Sequence, residues 1–297
     1  MCRLPFIIFG LMGVAISLMT AESVPGQSQP SANQGDQPNR IVIEYGIPVD
    51  ASLQDLYQIM KIKGSLEKIQ KILSPLRLPE ELMVKTAECR KVDAWYRREN
   101  SRPTVTICYE LVKHILDSLP KVTTAGITPD DAKIGQVLWL TLHEVAHATF
   151  DIFQVPIFGH VEDAADNFAT YVMLQFADSR RLIGGAAWAW SAYVKEYKSN
   201  PVVQVRLATF ASDHGQPQER FYNLLCLAFG SNPVRFADLV QEGYLPAARA
   251  RNCKFDYQAI AQAFHKEVTP HIDLELAKGV LDADWLRGPV LRPERDK

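Results

Sequence analysis

The sequence predicts an α+β fold: a small antiparallel sheet packed on the helix that carries an HExxH motif, followed by a predominantly helical C-terminal part. Three observations lead there. Short β-branched and aromatic stretches are confined to residues 41–110, helical periodicity takes over from Leu111, and TLHEVAHATF (141–150) sets two histidines four apart in an apolar run. The 297 residues are 47% hydrophobic and 22% charged, with a net charge of -2. That is a globular composition with room for a sizeable core, and without the basic excess that nucleic-acid binding requires.

Residues 1–21, MCRLPFIIFGLMGVAISLMTA, carry Arg3, an apolar stretch from Leu4 to Met19 and then small residues. They read as an export signal cleaved after Ala21. A membrane anchor is the alternative, but the stretch is short and interrupted by Pro5, Gly10 and Gly13. The protein is therefore expected to be exported, periplasmic or secreted, with no stable membrane insertion once the signal is removed. Residues 22–39 are rich in Pro, Gly, Gln, Ser and Asn and form an expected flexible linker. Residues 40–297 are expected to form one domain.

Within it, 41–45 alternates as a strand, and 52–72 has helical spacing despite Gly64. Strands follow at 82–89, 94–100 and 103–110, with the turn signal NSRP between the last two. After a helix from Leu111, Thr128 or Asp130 can cap the helix that starts near Asp131 and contains the motif. Further helices are predicted at 161–176, 180–197, 201–210, 218–230 and 257–267.

Cys2 falls in the signal, which leaves Cys89, Cys108, Cys226 and Cys253. Three pairings are formally open. Bridges Cys89 to Cys108 and Cys226 to Cys253 close the short loops and suit an oxidising compartment, each contributing about 3 kcal/mol on the chain-entropy model. A four-cysteine metal site would need Cys-x2-Cys spacing, which is missing.

On a helix His143 and His147 share one face, so both imidazoles can reach one ion, while Glu144 lies roughly 100° round the axis, outside the ligand set but near a water on that ion. A catalytic Zn2+ takes three protein ligands, keeps a position for water and lowers the pKa of that water toward ~7. The flanking residues make this helix apolar nearly all round. Two histidines and a glutamate buried there without partners would cost several kcal/mol, and one zinc ion would satisfy them. Of the acidic side chains in GHVEDAADNFATYVML (159–174), Glu162 is the expected third ligand, and Asp166, one turn on, the acceptor that fixes the tautomer of a ligand histidine. His160, Asp163 and Asp166 itself remain alternatives for the third ligand.

HEVAH followed by Glu162-x-x-x-Asp166 resembles the gluzincins, zinc metallopeptidases in which a second helix supplies a glutamate. The stretches EC (88–89), ICYEL (107–111), HEVAHA, EDAADNFA and the later DHG to RFYNLLC region are similar to a bacterial exported family described only as “putative metallopeptidases” of unknown function. Phe150 and Phe153 stand where the metzincin motif needs Gly and His. The resemblance implies a zincin-like fold, a zinc cofactor and a peptide or protein substrate, with Glu144 as general base. It also implies that Asp213-His214 is the aspartate-supported histidine that gluzincins use to bind the oxyanion. A loop-capping Asp and an exposed His explain the same pair, and Tyr193, Tyr197 and Tyr222 are other donors. The resemblance also implies that strand 103–109 presents an edge to an extended peptide, while Cys108 within it equally suits a purely stapled sheet element. Arg220 and Asn223 are candidate polar supports for the site. Rival functions are a zinc-containing binding module without turnover, and a zinc amidase acting on cell-wall material. The oligomeric state is not legible.

Overall fold

The structure is a computed structural model that describes residues 40–123, 126–199 and 213–285, with no account of the side chains at 193 and 196–199. The chain divides into Met1–Gln37 and Pro38–Lys297, and every described residue belongs to the second unit. The export signal, the linker and the helix predicted at 201–210 lie outside the described residues, as do the side chains of Tyr193 and Tyr197.

The α+β class holds. Four strands, β1 (Ile41–Tyr45), β2 (Leu82–Ala87), β3 (Ala94–Glu99) and β4 (Arg102–Cys108), form one sheet in the order β1-β2-β4-β3. The expected antiparallel pairing is corrected for two of the three ladders. Ile41 faces Leu82 and Met83 faces Thr104 in parallel ladders, and only β3 and β4 pair antiparallel. Parallel neighbours need a crossover, and the helices α1 (Ala51–Ile62) and α2 (Ser65–Leu73) between β1 and β2 provide one. The β3–β4 hairpin turns through Asn100 and Ser101, whose φ values of 49° and 67° are those of a two-residue turn with the twist a hairpin requires. Because β4 is inserted between β2 and β3, it is buried almost throughout and has no free edge. The edge expected on 103–109 is not there; the edge strands of the sheet are β1 and β3.

Residues 52–72 are two helices rather than one. Gly64 at φ 59° breaks the run, and the separate helices turn Leu53, Tyr57 and Met60, then Leu66, Ile69 and Leu73, into the core. The helical part comprises α3 (Tyr109–Asp117), α4 (Pro129–Ile152), α5 (Val161–Gln175), α6 (Ser179–Ser199), α7 (Pro217–Ser231), α8 (Asp238–Gln241), α9 (Ala247–Glu267) and α10 (Leu274–Leu281). The start of α9, ten residues ahead of expectation, lies in a charged stretch whose apolar periodicity is weak.

The central element is α4. Thr128 caps it by a reciprocal box: its Oγ1 accepts from the Asp131 amide at 3.0 Å, and Asp131 Oδ2 accepts from the Thr128 amide at 3.1 Å. The helix packs on α5, α6 and the β3–β4 side of the sheet. Glycine allows the closest of these approaches: a Cβ at Gly185 would lie 1.9 Å from the Asp131 carbonyl oxygen, and one at Gly135 2.5 Å from that of Leu182. Cys89 is bonded to Cys108 and Cys226 to Cys253, with Cα separations of 5.5 and 4.9 Å, as the loop lengths predict. The second bridge ties α7 to α9. Among the described residues no helix is long and apolar enough to cross a membrane.

Candidate metal centre

Because α4 is enclosed on most sides, its polar residues are enclosed with it. His143 is 2% and Glu144 7% exposed. From α5, Glu162 extends to the same point. Its Oε2 lies 3.0 Å from His143 Nε2 and 3.4 Å from His147 Nε2, and the two Nε2 atoms are 3.3 Å apart. Four ligands around a tetrahedral ion at 2.0–2.2 Å are separated from one another by about 3.4 Å. The two imidazoles and the carboxylate thus already have the spacing of three corners of such a site. Two nitrogen donors and one carboxylate are also the ligand types of a catalytic zinc.

The alternatives for the third position fall elsewhere. His160 and Asp163 are exposed at the start of α5. Asp166 stands behind His143, its Oδ1 2.7 Å from Nδ1, a close pair whose alignment falls short of a regular hydrogen bond. Its other partner is Arg220 of α7, which donates from Nε and Nη2 at 2.7 Å each. The guanidinium lies over the rings of Trp139 and Trp190, at 5.0 and 4.5 Å. Arg220 was one of two polar candidates in the sequence. The other, Asn223, is exposed and accepts from Arg249, away from the site. The tryptophans had only a weak signal, Trp139 being one helical turn before His143.

His214 reaches the cluster, with Nε2 2.8 Å from Glu162 Oε2 and its ring stacked on that of His143 at 5.8 Å. His143, Glu162 and His214 are themselves close enough to share an ion. Both His147 and His214 thus stand within reach of an ion held by His143 and Glu162, His147 from the same helix as His143 and His214 from the bend ahead of α7. Asp213 does not support His214. It is exposed and has no partner among the described residues. Tyr222 packs edge-on against Phe221.

The electrostatics follow from these contacts. Burial alone would depress the His143 imidazole, but Asp166 and Glu162 outweigh it and hold it at about 9. Hydrogen bonds from His143, His147 and His214 hold the Glu162 carboxyl far below the usual range. Burial works against ionisation of Asp166, yet His143 and Arg220 keep its pKa lowered. For Glu144 burial dominates and raises the pKa; the neighbouring imidazoles and the Tyr96 backbone amide pull the other way. A desolvated carboxylate beside a cationic site is a stronger base than a solvated one.

The DUF4344 family, described as “putative metallopeptidase”, matches residues 45–267. The chain belongs to this family. No curated protein and no solved structure matches it. The span matched to DUF4344 runs from the end of β1 to the end of α9 and includes α4, α5 and α7, so every side chain of the cluster lies within it. The DUF4344 description implies a metal, and the donors that converge between α4 and α5 could hold one.

Proposed function

We propose that this DUF4344 protein is a zinc-dependent peptidase that works outside the cytoplasm, with His143, His147 and Glu162 as the ligands of one Zn2+ and Glu144 as general base. In this reading residues 1–21 are a cleaved export signal, 22–39 a linker and 40–297 one catalytic domain. The two disulfides support an oxidising compartment. The observation that carries the proposal is the convergence of two imidazoles and one carboxylate, with a buried carboxylate that ligates nothing directly beside them. A site built only for structure has no use for that fourth group.

Zinc in this position supplies a Lewis acid that polarises the scissile carbonyl and makes water acidic enough to react at neutral pH. The protein does the rest. Glu144 takes a proton from the attacking water and delivers it to the leaving amine, a transfer favoured by its desolvated carboxyl. Asp166, with its carboxylate 2.7 Å from Nδ1 of His143, favours the tautomer protonated there and keeps Nε2 free to bind. Arg220 offsets the charge of Asp166, so the carboxylate stays ionised behind the ring. His214, half exposed at the mouth, donates to the carbonyl oxygen as it gains charge. An extended peptide pairs with the free edge of β3, which runs along α4.

Glu144→Gln tests the proposal. The variant should bind zinc as the wild type does and lose chelator-sensitive cleavage of a peptide mixture by about 1,000-fold or more. Cleavage at the wild-type rate by a zinc-loaded Glu144→Gln protein would remove Glu144 as the base.

A further inference from the structure

Glu144 is not the only carboxylate on its stripe of α4. Asp151 follows seven residues later, two turns along and on the same face, about 10 Å away along the axis. An aspartate in the last turn of a helix is placed against the helix dipole, so Asp151 weakens the helix that bears it. It has nonetheless acquired two donors from one strand. The Tyr96 hydroxyl donates to Asp151 Oδ2, and Arg98 Nε donates to the same oxygen at 2.7 Å. Arg98 is held in turn by a two-pronged pair with Glu80, at 2.8 and 3.1 Å, and by a bond to the Ser101 carbonyl at 3.1 Å. β3 packs along α4, and at the other end of the same residue the Tyr96 backbone amide is close enough to Glu144 to favour its ionised form.

One residue of β3 therefore donates to Asp151 by its phenol and has its amide near Glu144. The ion pairs around Asp151 are about one-third exposed. At that exposure they contribute little to stability, on the order of 0–1 kcal/mol. Their conspicuous effect is geometric: they fix the height of β3 along α4. Away from α4, β3 is held by its ladder to β4 and by the 2.6 Å pair of Glu99 with Lys85 of β2, and no strand among the described residues pairs with its outer edge.

We infer that Tyr96 and Asp151 form a staple that positions the free edge of β3 against Glu144, so that the strand that would bind a peptide and the base that would act on it keep a constant offset. Tyr96 and Asp151 are positioning residues; neither touches the reacting atoms. Without the staple β3 can slide or lift along α4, the Tyr96 amide leaves Glu144, and the carboxylate gains other rotamers. A displacement of about 1 Å between base and substrate costs on the order of 100-fold in rate.

The experiment compares zinc-loaded, full-length wild type with Tyr96→Phe and Asp151→Asn, which remove the bond while keeping the shape of the side chain. Amide hydrogen exchange is followed over 94–99, and kcat and KM are measured on a peptide that the wild type cleaves. We expect exchange at the Tyr96 amide to rise about tenfold or more in both variants, with zinc content unchanged. We expect kcat to fall about 10- to 100-fold. A purely stabilising role would lower the melting temperature and leave the kcat of the folded protein as it was. Unchanged exchange over 94–99 overturns the inference, and so does faster exchange with an unchanged kcat. The kinetic arm rests on the peptidase reading, whereas the exchange arm does not. A wild type that binds zinc but cleaves no peptide removes that reading, and exchange alone then decides whether the staple holds β3.

Discussion

Replacing Asp166 with Asn tests how the site is braced. The side chain is 13% exposed and that of Arg220 12%, and two 2.7 Å bonds join them. The substitution keeps the shape but removes the charge, leaving a guanidinium sealed between two indoles with a neutral acceptor. Removing one partner of a buried pair costs about 3–5 kcal/mol. The amide oxygen and the indole faces retain part of the attraction, so about 3 kcal/mol is expected. In a body of this size that lowers Tm by roughly 6–12 °C. Loss of the carboxylate behind His143 should also weaken zinc binding about 10- to 100-fold. Thermal unfolding of chelator-treated and zinc-loaded protein, with zinc competition titrations, separates the two effects. Glu162→Gln should show the reverse balance, with zinc binding nearly abolished and a smaller loss of stability in the chelator-treated form. If chelator-treated Asp166→Asn melts within about 2 °C of wild type, the Asp166–Arg220 pair is not the brace described. If Asp166→Asn loses zinc while Glu162→Gln keeps it, the third ligand has been misassigned.

Two further outcomes are expected. In chelator-treated protein His143 titrates at about 9, above its ordinary value of ~6.5. A folded pKa above the unfolded one makes its contribution complete below about pH 6.5 and progressively lost as pH rises through about 9. Zinc competes for the same nitrogen, so zinc affinity should rise across that window. Urea midpoints and zinc affinities between about pH 6 and 9 check both signs, and a midpoint of the chelator-treated protein that climbs with pH over this range contradicts the assignment. Gly185→Ala should destabilise by about 2–3 kcal/mol, because the new methyl would meet the Asp131 carbonyl and push α6 off α4. Gly279→Ala, in α10 with nothing within 4 Å, is the control and should be neutral or stabilising by up to about 1 kcal/mol; equal guanidinium midpoints for the two variants would discount the close approach.

Much of the centre is legible in the amino-acid sequence because its signals are local. His143 and His147 share a face through helical spacing, and so do Glu162 and Asp166 one turn apart. Thr128 and Asp131 cap α4 within four residues, and the short loops at Cys89–Cys108 and Cys226–Cys253 favour the pairing that is present. Other features needed three dimensions. Strand direction depended on where the α1–α2 crossover returned the chain, and the helix expected over 52–72 broke because each half of it found its own buried face. His214 was visible as a histidine in a loop, but its partner is Glu162 rather than the neighbouring Asp213. Arg220 was visible as a polar support for the site, but not what it supports. Its place between Trp139 and Trp190, 54 residues from Asp166, arose from how α7 packs on α5 and α6, which flank α4. The sequence by itself determined which donor types exist and which of them share a helix face, since backbone periodicity sets both. Only tertiary structure decided which distant groups meet. That choice belongs to the packing of whole elements, and no spacing along the chain encodes it.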